Sequence, residues 1–183
     1  MSASFAAPSD RPAGNAFVRA VHAVSTLCGW IAAGLMVASL FVTCHMIYVR
    51  AVLGRSTIWQ TEAVIYMMIA ATCLGLSYVQ KLRGHVSVDL LPLALRPGPR
   101  RLLAYVILLA TIAVVAMVTW YSWDVFHQAW RRNWKSSSVW APPLWVPYLA
   151  LPLGFGLFLL QLLADLVALA TGAEKPFGIA EDR

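Results

Sequence analysis

The sequence has few charged residues, and long stretches of it have none. Charged side chains make up 12% of the chain and hydrophobic ones 60%, whereas soluble globular proteins average about 25% and about 45–50%. Asp, Glu, Lys and Arg are absent from residues 20–49, 63–80, 102–123 and 136–164. At about 1.5 Å per residue, a helix of roughly 18 residues or more can cross a hydrocarbon core about 30 Å thick. Four buried helices of a soluble bundle are the alternative.

These stretches predict an all-α integral membrane protein with four transmembrane helices. We expect the helices near residues 24–49, 60–80, 102–123 and 145–167. A membrane domain would then cover residues 24–169, between tails at 1–23 and 170–183. A β-barrel would need alternating polarity, which these stretches lack. The first apolar run is longer than the roughly 7–15-residue core of a signal peptide, so we expect it to remain as an anchor.

Cysteine is scarce, and its placement excludes several kinds of site. Cys28, Cys44 and Cys73 all fall inside predicted helices, and no CxxC spacing occurs. An odd number of cysteines within the membrane argues against a disulfide framework, a zinc site or a dithiol exchange motif. We expect these residues to fill space as small apolar side chains, and we expect no metal or cofactor.

Ionisable groups are missing from the middle of every predicted span. The polar side chains there are hydroxyls or thiols, such as Ser39, Thr72 and Thr111. Near the ends of the predicted spans lie three acids: Glu62, Asp124 and Asp165. Ion-coupled transporters place ionisable or ion-coordinating groups near mid-membrane, so this chain alone has no evident transport site. It also has no recognisable catalytic group, and we expect it not to be an enzyme.

The basic residues lie at the membrane borders and predict an orientation. With a cytoplasmic N-terminus, the inner segments carry nine cations and the outer segments five. The connector 81–101 is the densest cluster, so the positive-inside rule places it and both termini in the cytoplasm. The net charge of +6 is therefore a topology signal rather than an indication of nucleic-acid binding.

Tryptophan is concentrated on the predicted outer side. Seven of the eight residues map there: Trp59, Trp120, Trp123, Trp130, Trp134, Trp140 and Trp145. They could form a simple anchoring belt in the headgroup layer, or this side could also meet a protein partner, because Trp and Arg are enriched at interface hot spots.

An aromatic face follows the third span. Trp123, Phe126, Trp130 and Trp134 recur at spacings of three and four, which predicts a helix continuing past Asp124 to about Lys135. The cations of this segment lie beside the aromatic residues: Arg131, Arg132 and Lys135.

The cytoplasmic connector also has an amphipathic pattern. Its residues 85–95 predict a short amphipathic element in the membrane surface, with Ser87 or Asp89 as N-cap.

Glu62 lies near the start of the second predicted helix. Thr57 and Gln60 have the spacing of a capping box, and Glu62 would lie near the positive end of the helix dipole. The alternative is an ion pair with Arg50, with Arg55 or with a cation of another subunit.

Two further patterns concern packing and redox chemistry. Residues 34–38 and 71–75 have the small-xxx-small pattern that lets membrane helices approach closely. Histidine permits a rival function: His45 with His127 and His22 with His85 could act as depth-matched haem ligands in a membrane redox protein. A small drug exporter would usually carry a carboxylate inside the first span, and none is there.

A set of residues occurs along the chain in the same order as in a known family. By these residues the chain resembles the small permease subunit, the DctQ-type or Q subunit, of tripartite ATP-independent periplasmic (TRAP) transporters. The set comprises Arg50, Gly54, Trp59, Glu62, Leu74-Gly75, Arg83-Gly84-His85-Val86, Val88-Asp89-Leu90, Trp145, Tyr148, Leu151-Pro152 and Gly154. The stretch from Arg83 to Asp89 is the most diagnostic. The position before Glu62, often acidic in such proteins, is Thr61 here.

The resemblance implies an accessory subunit in the bacterial inner membrane. A larger DctM-type membrane subunit would carry the sodium-coupled path, and a periplasmic DctP-type protein would deliver an organic acid. The candidate contacts with the large subunit are Trp59, Glu62, Arg83, His85 and Asp89. The candidate docking residues for the periplasmic protein are Trp123, Trp130, Arg131, Arg132, Trp134, Lys135 and Trp140.

Overall fold

A computed structural model of the chain describes residues 16–82 and 97–171, which form four long helices. They are α1 (Ala16–Val52), α2 (Ile58–Lys81), α3 (Pro97–Arg131) and α4 (Trp145–Ala170). Each contains a stretch long and apolar enough to cross a membrane, which confirms the predicted fold class. The predicted surface element at 85–95 lies outside the described residues.

Two of the helices are longer than their charge-free stretches. α1 begins at Ala16 rather than near residue 24, and α3 begins at Pro97 and continues to Arg131. With 37 and 35 residues, they are about 55 and 52 Å long and exceed a hydrocarbon core of about 30 Å. The absence of charge predicts which residues can lie in lipid, but helices continue through polar residues. The predicted extension of α3 is confirmed, although the helix ends four residues before Lys135.

α4 is the central helix of the bundle. It packs against α1, α2 and α3, whereas α3 packs extensively only against α4 within the described part of the chain. In their most apolar stretches, 33% of α4 is buried but only 6% of α3. The core between them is formed by Val115, Phe158 and Leu162.

Close approach of α2 and α4 depends on a glycine. A Cβ at Gly154 would come within 2.5 Å of the Cys73 carbonyl oxygen, so only glycine allows this backbone contact. Among the predicted small-residue patterns, Ala71 is buried and Gly75 faces Ala32 of α1. Gly34 faces open space, so its pattern does not serve packing within the described chain.

The outer surface of the bundle is apolar, and its mid-helix hydroxyls are satisfied internally. Trp30 and Trp120 are each 76% exposed, as expected of side chains that face lipid. Ser39, Thr72 and Thr111 each donate a hydrogen bond to a backbone carbonyl three or four residues earlier, at 2.7–2.9 Å. Such bonds remove the donor from competition for any ligand.

The bundle has two ends. The turn end carries the α1–α2 connection (residues 53–57) and the α3–α4 turn (residues 132–144). The terminal end carries the start of α1 and the end of α4.

Candidate functional site

The α3–α4 turn is held by backbone hydrogen bonds. Trp134 N donates to Ala129 O at 3.1 Å and Leu144 N donates to Trp134 O at 2.8 Å. A third bond, from Ser136 N to Pro142 O at 3.0 Å, lies beside a β-bridge between Lys135 and Pro143. The first bond satisfies a carbonyl in the last turn of α3, and the other two close the turn into a defined shape.

A row of aromatic rings leads from α3 into α4. The ring centroids of Trp123 and Phe126 are 5.7 Å apart, and those of Phe126 and Trp130 are 6.2 Å apart. Trp130 then meets Trp145 of α4 edge to face at 4.8 Å. The predicted aromatic face is therefore present for Trp123, Phe126 and Trp130, whereas Trp134 lies beyond the end of the helix. Trp145 extends the face across both helices. Tilted and edge-to-face contacts of this kind add about 0.5–1.5 kcal/mol each to the burial of the rings.

Beyond this row, the turn presents an exposed mixture of cations and apolar side chains. Val139 is 90% exposed and Trp140 is 49% exposed. The three predicted docking cations are also exposed: Arg131, Arg132 and Lys135. Trp134 is half-buried under the turn. An exposed apolar tip flanked by positive charge is suited to contact with a protein or a headgroup layer.

Glu62 ties α2 to the α3–α4 turn. Ser136 Oγ donates a hydrogen bond to Glu62 Oε1 at 2.6 Å. Glu62 Oε2 is buried without a partner among the described residues. Arg50 and Arg55 are exposed, and neither pairs with Glu62 in the described part of the chain. Ser136 is thus the partner that the sequence did not reveal.

The predicted capping box at the start of α2 is wrong. Thr57 is the N-cap residue, but its side chain makes no capping hydrogen bond. The Thr61 hydroxyl instead donates to Thr57 O at 3.1 Å. Gln60 points inward, with 3% of its surface exposed, and its Oε1 has no partner within the described residues. Trp59 is 46% exposed and free for contact outside the chain.

A buried polar network joins three helices at the terminal end. Ser25 Oγ of α1 donates to Gln161 Oε1 of α4 at 2.8 Å, and Gln161 Nε2 donates to Asp165 Oδ1 at 2.9 Å. Gln80 Nε2 of α2 donates to Asp165 Oδ2, also at 2.9 Å. Gln161 has no exposed surface. Sequence reasoning identified Asp165 only as a charge at the end of a span.

A second contact lies beside this network. Lys81 Nζ donates to Thr26 Oγ1 at 2.7 Å and joins α2 to α1. The sequence did contain one indication of this network. Gln161 and Asp165, an amide and a carboxylate, lie four residues apart on an otherwise apolar helix, which is a spacing that allows them to bond each other.

Some predicted residues remain unplaced. Arg83, His85 and Asp89 lie outside the described residues. Nothing in the described residues supports haem ligation: His45 and His127 are exposed on α1 and α3, which do not pack extensively against each other. His22 is half-buried in α1, and its proposed partner His85 is not described.

Comparison with known proteins identifies the family. A family model for "Tripartite ATP-independent periplasmic transporters, DctQ component" matches residues 39–172, well over half of the chain. No curated protein and no solved structure matches the chain. The matched range contains the last part of α1 and the whole of α2, α3 and α4, together with the α3–α4 turn. The chain therefore belongs to the family of DctQ components, the small membrane subunits of TRAP transporters, which work with DctM and DctP components.

Proposed function

We propose that this chain is the fixed scaffold subunit of a transporter that couples the uptake of an organic acid to sodium. In this proposal the DctM-type subunit carries the solute and the sodium ions, and the DctP-type protein delivers the acid. The chain braces the large subunit and supplies part of the docking surface.

The observation that carries the proposal is where the polar side chains are and what they bind. The mid-helix hydroxyls donate to their own helix backbone, and the side-chain networks lie at the two ends of the bundle. A solute path through this chain would need polar groups directed into a cavity at mid-membrane. Polar groups that join helices at their ends instead favour a rigid supporting body.

The turn end is proposed to face the periplasm and the DctP-type protein. Its exposed cations and the apolar tip at Val139 and Trp140 offer both steering charge and contact area. Trp59 and Glu62, at the same end, are proposed to face the large subunit. Arg83, His85 and Asp89 are proposed to contact that subunit from the cytoplasmic side.

The proposed location is the bacterial inner membrane, with both termini in the cytoplasm. The asymmetry of the cations supports this orientation, because the connector 81–101 carries the densest positive cluster. The tryptophans at the turn end support it as well, since indoles anchor in the headgroup layer.

Reconstitution tests the scaffold role. The chain, the DctM-type subunit and the DctP-type protein encoded alongside it would be placed in proteoliposomes in all combinations, with an inward sodium gradient and a panel of radiolabelled organic acids. We expect uptake only when all three are present, and none by this chain alone.

Two outcomes would contradict the proposal. Uptake by the isolated chain would place a solute path inside it. Full uptake by the two partners without it would remove its role in transport. A matched control is the same reconstitution with the sodium gradient replaced by potassium, which separates coupling from the need for this subunit.

A further inference from the structure

An open pocket lies at the turn end, between the last turn of α1 and the first turn of α2. Its volume is about 340 Å³, and its walls are formed by Arg50, Arg55, Ser56, Thr57, Ile58 and Thr61. Gly54, with φ of +60°, turns the chain between the two helices so that both arginines reach one pocket. The wall contains two guanidinium groups and no acidic residue.

The side chains of Arg50, Arg55 and Thr57 in this pocket have no hydrogen-bond or ion-pair partner within the described residues. Glu62 is bonded to Ser136 and does not line the pocket. Thr57 is 9% exposed, yet its side chain makes no capping hydrogen bond and lines the pocket. A hydroxyl on a largely buried residue that leaves its own helix uncapped and lines a cationic pocket is the feature that indicates a ligand.

The backbone adds to the same preference for an anion. The first N–H groups of α2 have no acceptor within the helix, and the first amide to find one is Thr61 N, which donates to Thr57 O at 3.3 Å. An anion at this end also meets the positive end of a 24-residue helix dipole. Guanidinium groups, hydroxyls and amides together suit the several oxygens of a phosphate better than one carboxylate.

The position of the pocket in the membrane suggests where the phosphate comes from. Arg50 is the first charged residue after the apolar residues 20–49, so it lies at the border where headgroups lie. We propose that the α1–α2 pocket binds a phosphate group, supplied by an anionic phospholipid headgroup or by free phosphate. Nothing in the scaffold role requires such a site.

Lipid retention by the full-length chain tests the proposal. The delipidated chain in dodecyl maltoside would be titrated with phosphatidylglycerol, with diacylglycerol of the same acyl chains, or with inorganic phosphate. Binding would be read by native mass spectrometry and by the shift in melting temperature. We expect retention of phosphatidylglycerol but not of diacylglycerol. We expect Arg50→Gln/Arg55→Gln to lower retention roughly tenfold and Thr57→Val to lower it roughly threefold.

The matched control is Arg19→Gln, which removes an exposed cation of α1 outside the pocket and outside the proposed docking surface, and should leave retention unchanged. Inorganic phosphate that stabilises the wild-type chain but not Arg50→Gln/Arg55→Gln, without retention of phosphatidylglycerol, would identify free phosphate as the source. Equal retention of phosphatidylglycerol and diacylglycerol, or wild-type retention by the double variant, would overturn the proposal.

A folding control keeps the test decisive. Arg50 and Arg55 are exposed, so circular dichroism should show unchanged helicity in the double variant. Should helicity fall, Arg50→Lys/Arg55→Lys replaces it, because this variant keeps both charges and removes the planar forks. It is expected to lower retention roughly threefold, and unchanged retention in it would count against the site.

Discussion

Gln161 uses both ends of its amide inside the protein. Its oxygen accepts from Ser25 of α1 and its nitrogen donates to Asp165, one turn further along α4. Asp165 in turn accepts from Gln80 of α2, so the Gln161–Asp165 pair connects three helices. In a bilayer the attraction of apolar surfaces for each other is weak, and interhelical hydrogen bonds supply part of the specificity of packing.

Gln161→Leu should therefore destabilise the bundle, although it makes the core more apolar. The substitution leaves the Ser25 hydroxyl without its acceptor and removes a donor from Asp165. We expect a loss of about 1–2 kcal/mol in the free energy of unfolding, measured by denaturation with sodium dodecyl sulfate in mixed micelles. The matched control is Gln128→Leu, because Gln128 bonds Asp124 within one exposed turn of α3. That bond should contribute no more than about 0.5 kcal/mol. Equal losses in the two variants would refute the bridging role.

Ser136 carries a comparable contact at the turn end. Ser136→Ala removes the donor to Glu62 and leaves both carboxylate oxygens without a partner within the described residues. Hydrogen bonds to charged groups contribute about 1.5–3 kcal/mol, so the α3–α4 turn should open at least about tenfold more often. Hydrogen exchange at the amides of Ser136 and Leu144, measured by mass spectrometry, reports this opening. Ser137→Ala alters an exposed neighbour and should change nothing, and unchanged protection in Ser136→Ala would count against the contact.

At the scale of the element, the spacing between α2 and α4 depends on one residue. Gly154→Ala places a methyl group about 2.5 Å from the backbone of Cys73, so the helices must move apart. We expect a loss of about 1–3 kcal/mol in the free energy of unfolding. Gly156→Ala is the control two residues away, since nothing lies within 4 Å of a Cβ there. This control should be neutral or stabilise α4 by up to about 1 kcal/mol. A Gly154→Ala variant as stable as the control would show that the helices are not in contact there.

A second prediction at the scale of the element concerns the two arginines at the end of α3, Arg131 and Arg132. If the turn end binds the DctP-type protein, Arg131→Gln/Arg132→Gln should lower the association rate several-fold at low salt. The difference should largely vanish at about 0.5 M salt, because exposed charges are then screened. Surface plasmon resonance with the assembled membrane complex measures both rates. Arg19→Gln, an exposed cation of α1 at the terminal end, is the control. A reduction of the same size in Arg19→Gln, or none in the double variant, would contradict docking at this surface.

The existence and type of the four helices could be predicted from the sequence, but the residues at which they begin and end could not. The absence of charge located all four helices, because lipid excludes unpaired charges. It could not reveal that α1 begins at Ala16, since lipid exclusion does not determine where a helix ends. The spacing of Trp123, Phe126 and Trp130 did predict the extension of α3. Packing of the small residues was predicted only in part: the pattern at 71–75 lies inside the bundle, but Gly34 faces outward and Gly154, which was not predicted, forms the close contact. Short small-residue patterns do not specify which face meets a neighbour.

At the scale of the whole molecule, the partners of individual side chains were the least predictable feature. Glu62 and Ser136 are 74 residues apart in sequence, and Ser25 and Gln161 are 136 apart. Local patterns such as a capping box describe only neighbours along one helix, so they led to the wrong environment for Thr57 and Gln60. The family was nevertheless recognisable, because its shared residues are spread along the chain and all of them fall within residues 39–172.

Orientation is the prediction that concerns the molecule as a whole. In a variant with Cys28, Cys44 and Cys73 replaced by alanine, Val139→Cys places a thiol at the 90%-exposed tip of the α3–α4 turn. A membrane-impermeant maleimide should label it in cells whose outer membrane alone is permeabilised. Ala20→Cys, at the terminal end, should react only after the inner membrane is opened. The reverse pattern of labelling would invert the proposed topology.

The central place of α4 has a consequence for biosynthesis. Of the four described helices the ribosome makes this one last, yet it is the one that contacts all three others. When α3 leaves the translocon its main neighbour has not yet entered the membrane, so the nascent chain must hold α3 in lipid until residues 145–170 emerge. A stop codon placed before Trp145 should therefore leave a paired α1 and α2 beside a solitary third helix, a substrate for membrane quality-control proteases rather than a smaller version of the bundle.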